Sequence, residues 1–197
     1  LIAVDLDEGD HLASVLLTDG YQSLLVATRD GMAIRFDEND ARVVGRTARG
    51  VRAISLGEND EVVGMSACTE GAYLLTVTET GYGRLSPLTD YRIQSRGGKG
   101  LTNYHTDRFG AVAAAQVVTG DEDVILVSDA GIVIRIRAEQ VRVCRRPSKG
   151  VRVMRVDENS RLIAMAVVPH DENEADDELP VEEDTDADEG ADEGAEA

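Results

Sequence analysis

Apolar residues along this chain come in short bursts separated by turn-forming residues, and the bursts return every fifty positions. Ser23-Leu24-Leu25-Val26-Ala27-Thr28 reads as a buried strand. Arg29-Asp30-Gly31 follows as a turn, with Asp-Gly favoured where consecutive residues need positive φ. Met32-Ala33-Ile34-Arg35-Phe36 is the returning strand, and a polar stretch leads through Val43 and Val44 into a basic loop at 45–50. Strands over 51–56 and 61–67, with a turn at 57–60, close the unit. The plan repeats from Tyr73-Leu74-Leu75-Thr76-Val77-Thr78 and again from Asp123-Val124-Ile125-Leu126-Val127-Ser128. Gly31, Gly81 and Gly131 share one phase of the repeat. Leu1–Asp10 matches Val51–Asp60, so residues 1–19 read as the end of an earlier unit. The last strand runs over 162–168, and Pro169 ends the pattern.

A period near fifty, with four or five short strands per unit and no helical periodicity, predicts an all-β fold of radially repeated antiparallel blades. The expected units are the fragment 1–19 and blades at about 20–69, 70–119 and 120–169. Three blades and a fragment do not close a ring of roughly four to eight blades. The expectation is a propeller-like partial ring. Either further blades precede Leu1, which opens directly into a strand pattern, or the partial ring has open edge strands.

Between the strands, one stretch concentrates the chemistry. Gln94-Ser95-Arg96-Gly97-Gly98-Lys99-Gly100 packs two cations and three glycines into seven residues. Glycine lets the backbone come close to a ligand, and Arg and Lys attract phosphate. Gly45-Arg46-Thr47-Ala48-Arg49-Gly50 stands fifty residues earlier, and Arg145-Arg146-Pro147-Ser148-Lys149-Gly150 fifty later. Arg46, Arg96 and Arg146 share a phase, as do Arg49, Lys99 and Lys149. On a radial array, equivalent loops lie on one rim, which becomes a curved cationic track. Such a track suits a bent phosphate backbone and reads no sequence. No aromatic residue is interleaved with these cations, which disfavours base stacking on single strands and points to duplex DNA. Arg46, Arg49, Arg96, Lys99, Arg145, Arg146 and Lys149 are the expected phosphate contacts, with Arg92 beside them. Gln94, Gly97, Gly98 and Gly100 shape the central loop.

Charge at first opposes that reading, because the net charge of the 197 residues is −18. Its location resolves the conflict. Residues 171–197 hold fifteen Asp or Glu and no Lys or Arg, which leaves 23 acidic against 20 basic residues in 1–170. The acidic stretch has too little apolar surface to fold and is expected to be a disordered tail. Tethered beside a cationic rim, it would either compete with DNA or serve only as a solubilising tail. There is no run of about 18 apolar residues, so no membrane span is expected. Cys68 and Cys144 sit in no CxxC or Cys/His cluster, so no metal site is expected and a reducing, cytoplasmic setting is. His11, His105 and His170 fall at unrelated phases and read as surface residues near turns. No nucleophile elbow or Walker spacing is present, so no catalytic residue is assigned.

Gln94–Gly100 resembles the gyrase A box, a Q-(R/K)-R-G-G-(R/K)-G motif, with Ser95 in place of a basic residue. With the fifty-residue repeats and acidic end, residues 1–170 resemble the C-terminal domain of DNA gyrase A. The resemblance implies a six-bladed β-pinwheel that wraps double-stranded DNA around a basic perimeter and supports negative supercoiling. This box would then be a secondary one, and the catalytic tyrosine domain would lie elsewhere. The implied partners are the remainder of gyrase A and the gyrase B protein, in a bacterial heterotetramer. ATP and Mg would be used by gyrase B, with no cofactor in this chain. The related subunit of topoisomerase IV is an alternative, although its boxes are usually more degenerate. A propeller-like scaffold whose rim binds an acidic partner protein is another.

Overall fold

The computed structural model describes residues 4–46 and 48–171. The apolar bursts become strands β1 (Ser23–Thr28), β2 (Met32–Asp37), β3 (Val62–Cys68), β4 (Tyr73–Thr78) and β5 (Tyr82–Pro87). After these come β6 (Leu101–Thr102), β7 (Val112–Val118), β8 (Glu122–Ser128), β9 (Val133–Arg137), β10 (Val151–Arg152) and β11 (Leu162–Pro169). Single 3-10 turns at Glu38–Asp40, Leu88–Asp90 and Ala138–Gln140 follow the second strand of each hairpin. The four-residue helix α1 (Thr106–Phe109) departs from an all-β reading, and Gly110, at φ 84°, ends it.

The hairpins form as the sequence predicts. Ala27 faces Ala33, Val77 faces Gly83 and Val127 faces Val133 across the three turns. Gly31, Gly81 and Gly131 have φ of 81°, 83° and 80°, a backbone conformation that residues with a Cβ rarely adopt. The sheets run β3-β1-β2-β6, β10-β5-β4-β7 and β11-β8-β9. They meet along β3, β7 and β11, and the opposite edges carry β6 and β10.

The sheets do not map onto the repeats one to one. β6 follows the basic loop of the second repeat, yet it completes the first sheet, with Met32 opposite Thr102 and Ala33 opposite Leu101. β10 does the same for the second sheet, with Val151 opposite Gly83. Each of these sheets therefore borrows its fourth strand from the next repeat. The expected strand over 51–56 does not form. The segment is instead tied to the central loop, Ser55 N donating to Gly98 O at 2.8 Å.

The first and second sheets bury both faces, with Leu25 and Val26, and Leu74 and Leu75, entering different clusters. Val26, Ile34, Phe36 and Ile54 form one cluster, and Leu25, Leu74, Leu88 and Tyr91 belong to a second. The third lies between the second and third sheets, around Leu75, Leu85, Leu126 and Met154. His11 and His105 are exposed, as expected. His170 is not a simple surface residue. Its Nδ1 lies 3.0 Å from Oδ1 of the buried Asp123, which also accepts from Arg135 Nη2 at 2.5 Å. The buried carboxylate is thus partnered on two sides, by the Arg135 guanidinium and the His170 ring. Cys68 and Cys144 are free thiols, and burial pushes the Cys68 pKa up. The acidic stretch lies outside the described residues from 172 onward.

Candidate nucleic-acid interface

Both legs of a basic loop pair with the same outer strand. Ile93 bridges Arg35 in parallel, and Gln94 N donates to Arg35 O at 2.9 Å. The chain then turns through 95–100 and returns antiparallel as β6. Fifty residues on, Val143 bridges Leu85, Cys144 N donates to Leu85 O at 2.8 Å, and the chain returns as β10. Each loop is thus lifted off the sheet edge farthest from the strands where the sheets meet. Equivalent loops occupy equivalent outer positions, as a cationic rim requires.

Glycine at the return is dictated by packing. Gly100 has φ 78°, and a Cβ there would sit 2.4 Å from Ala33 O. At Gly150, with φ 79°, it would sit 2.2 Å from Gly83 O. Gly97, at φ 81°, donates its N–H to Ala53 O at 2.6 Å. Gly98 is different: it is exposed, and a Cβ there would meet nothing within 4 Å. Its lack of a side chain leaves the tip of the loop bare, open to close approach by a ligand. Gln94 has a buried side-chain nitrogen without a hydrogen-bond partner.

Apart from Lys149, which is partly buried, the cations divide into two groups. Arg49, Arg92, Lys99 and Arg145 are exposed, and so is Arg46. Arg49 meets Asp7 at 2.9 Å, with side chains 79% and 65% exposed, a contact that water screens heavily. Arg96 and Arg146 are partly buried and internally bonded. Arg96 donates from Nε to Asp40 O at 2.8 Å and from Nη1 to Arg52 O at 3.0 Å. Arg146 donates from Nε to Asp90 O at 2.9 Å and from Nη1 to Thr102 O at 3.0 Å. These two arginines clamp their loops to the preceding repeat, and a phosphate contact would use their remaining N–H groups.

Sequence distance concealed two further components. Tyr82 sits under the third loop, its ring centroid 4.2 Å from Lys149 Nζ and 4.7 Å from Arg152 Cζ. Arg152 Nη2 donates to Tyr82 Oη at 2.6 Å. An aromatic ring is therefore interleaved with the rim cations, contrary to the reading from sequence; the pairing of β10 with β5 brings it there. Beneath the same loop lies Arg84, fully buried and wholly without a carboxylate partner among the described residues. Burial raises the pKa of the neighbouring Tyr91 and Tyr104, so both phenols remain donors. Among the described residues no group of His, Cys, Asp and Glu could hold a metal ion. No described helix is long and apolar enough to cross a membrane.

Residues 1–19, 22–69, 72–119 and 122–169 match the family model described as DNA gyrase C-terminal domain, beta-propeller. The chain belongs to this family. It is 39% identical over 199 residues to the DNA gyrase A protein of Staphylococcus aureus (strain MRSA252), covering 100% of this chain and 22% of that protein. The chain thus spans about a fifth of the length of the curated relatives it matches. A solved structure of a DNA gyrase A C-terminal domain matches with a TM-score of 0.78 at 27% identity, covering 85% of this chain and 57% of the other. The C-terminal domain of DNA topoisomerase IV matches with a TM-score of 0.80 at 25% identity, covering 85% and 53%. The β-pinwheel reading of the repeats stands on these likenesses together with the three sheets.

Proposed function

We propose that this chain is the DNA-binding and DNA-wrapping module of a gyrase A protein. The observation that carries the reading is the placement of two in-phase basic loops, 94–100 and 144–150, on outer sheet edges, each held up by two paired legs. Duplex phosphates following the rim would meet Arg46 and Arg49, then Arg92, Arg96 and Lys99, then Arg145, Arg146 and Lys149 in turn. Backbone contacts of this kind position DNA without reading its sequence. A track that bends the duplex changes its path around the enzyme, which is how the module would support negative supercoiling. Cleavage and ATP-dependent strand passage would belong to the rest of gyrase A and to gyrase B, which would bind ATP and Mg. The setting would be the bacterial cytoplasm. Fold similarity alone does not separate gyrase from topoisomerase IV. The gyrase A relatives at 39–40% identity and the near-complete Gln94–Gly100 box favour gyrase.

The test is duplex DNA binding by the full chain across a salt series. If about six phosphates are neutralised, log K falls against log salt with a slope near roughly −5. Lys99→Glu should weaken binding uniformly across sequences and lower the slope by about 1. A slope near zero, or binding that requires an acidic protein and ignores DNA, would reject the proposal.

A further inference from the structure

The middle repeat carries a buried polar cluster where the flanking repeats are apolar. Arg84 stands in phase with Ile34 and Ile134, and Ser86 with Phe36 and Ile136. Asn103 stands in phase with Ala53 and Val153, and Tyr104 with Ile54 and Met154. Thr76 and Tyr91 likewise replace apolar residues at Val26 and Leu126, and at Ala41 and Val141. All six of these polar residues are buried, with Arg84 0% exposed.

Their hydrogen bonds converge on the third rim loop. Arg84 donates from Nε to Ser148 O at 3.0 Å, from Nη1 to Ser86 Oγ at 2.7 Å, and from Nη2 to Asn103 Oδ1 at 3.1 Å and to Asn103 O. Ser86 Oγ donates onward to Cys144 O at 3.0 Å, and Tyr104 Oη donates to Lys149 O. Tyr91 Oη donates to Asn103 Oδ1 at 2.6 Å, and Asn103 Nδ2 to Thr76 Oγ1 at 3.1 Å. The Arg84 guanidinium lies 4.9 Å from the Tyr104 ring centroid. Three loop carbonyls, those of Cys144, Ser148 and Lys149, are thereby held from beneath. The in-phase residues under the central loop, Ile34, Phe36 and Ile54, have no side-chain donor to offer.

A buried arginine usually faces an acid, because an unpaired charge in low dielectric is costly. Here every acceptor is a neutral oxygen, so the charge is solvated by the protein and left unneutralised. Its field acts on the loop above, where water screens it less than a surface charge.

We infer that Arg84 is a positioning residue for DNA binding. It fixes the shape of the 144–149 loop that carries Arg145, Arg146 and Lys149, and adds a buried positive charge beneath it. The inference rests on the DNA-binding reading above. It predicts that the third loop is more rigid than the central one and that removing the Arg84 fork loosens it.

Two variants of the full 197-residue chain test it. Arg84→Lys keeps the charge but cannot reach Ser148 O, Ser86 Oγ and Asn103 at once. Arg84→Ile with Ser86→Phe, Asn103→Ala and Tyr104→Ile installs the first repeat's residues at those four positions and removes all the side-chain donors to the loop carbonyls together. Amide hydrogen exchange of the free proteins reports the loop directly. In each folded variant, exchange over 145–150 should rise by about tenfold or more while 94–100 is unchanged. The DNA salt slope should fall by about 1 to 2 as the loop's cations lose their fixed positions. Unchanged exchange at 145–150 in Arg84→Lys would overturn the inference, whether or not the four-residue variant folds. If exchange rises in the variants but the unmodified chain does not bind duplex DNA, the DNA reading fails and the loop-fixing role stands.

Discussion

Arg96 and Arg146, fifty residues apart, use the same two guanidinium nitrogens on the same two kinds of partner. Nε goes to the carbonyl ending the 3-10 turn of the preceding repeat, Asp40 or Asp90. Nη1 goes to the carbonyl of Arg52 or Thr102, two residues past the preceding loop. One side chain thus ties three parts of neighbouring repeats together. The planar fork can do this and a lysine ammonium cannot. Arg146→Lys should therefore lower stability by about 1 kcal/mol in urea unfolding. Arg96→Lys, whose bonds are more exposed, should cost less. Equal and negligible losses in both would mean that the clamps do not hold the repeats.

Gly150 and Gly131 separate two reasons for glycine. Both have φ near 80°, at 79° and 80°. An added Cβ at Gly150 meets Gly83 O at 2.2 Å, whereas at Gly131 it meets nothing within 4 Å. Gly131→Ala should cost about 1 kcal/mol for the left-handed backbone alone. Gly150→Ala should cost about 3 kcal/mol or more, because β10 must move off β5. Thermal melts of the pair give the difference directly, and similar losses in both would rule out the close contact.

Why some of this was legible from sequence and some was not follows from which residues carry it. The hairpins around Gly31, Gly81 and Gly131 were readable because a short apolar run and the glycine that closes its turn are local signals. The borrowing of β6 was not, since Leu101-Thr102 has the same apolar-polar pattern whichever sheet receives it. The rim loops were readable as an in-phase set, yet phase alone cannot separate a clamp such as Arg96 from an exposed cation such as Lys99, because both roles need a cation there. Tyr82 was missed because it lies 67 positions before Lys149, and only the pairing of β10 with β5 unites them. Arg84 had a signal that could have found it, an arginine in phase with Ile34 and Ile134.

Asp123 makes the end of the third blade sensitive to acid. Burial opposes its charge, but the hydrogen bonds and charges of His170 and Arg135 outweigh burial and hold its pKa below the usual range. A carboxyl whose folded pKa is depressed contributes stability that is present above its unfolded pKa, near about 3.9, and is lost as pH falls through the folded value. Asp123→Asn should lower the melting temperature at neutral pH, and the gap to the unmodified chain should narrow on acidification below about pH 4. A gap that stays constant from neutral pH down to about pH 2 would show that the carboxylate contributes no pH-dependent stability.

Tyr82 offers the sharpest separation between charge and orientation at the rim. Its ring holds Lys149 and Arg152 in place without carrying charge itself. Contacts of this type contribute about 0.5–1 kcal/mol when partly exposed, which corresponds to roughly a twofold to fivefold change in affinity. Tyr82→Leu keeps the apolar packing against β10 and removes both the ring face and the hydroxyl that accepts from Arg152. DNA affinity should fall by that factor, with the salt slope nearly unchanged, because the number of cations is the same. Lys149→Gln should instead lower the slope by about 1. If Tyr82→Leu changed the slope as much as Lys149→Gln does, Tyr82 would be controlling whether the cations reach phosphate at all. If it changed neither quantity, the stacked pair would play no part in holding DNA.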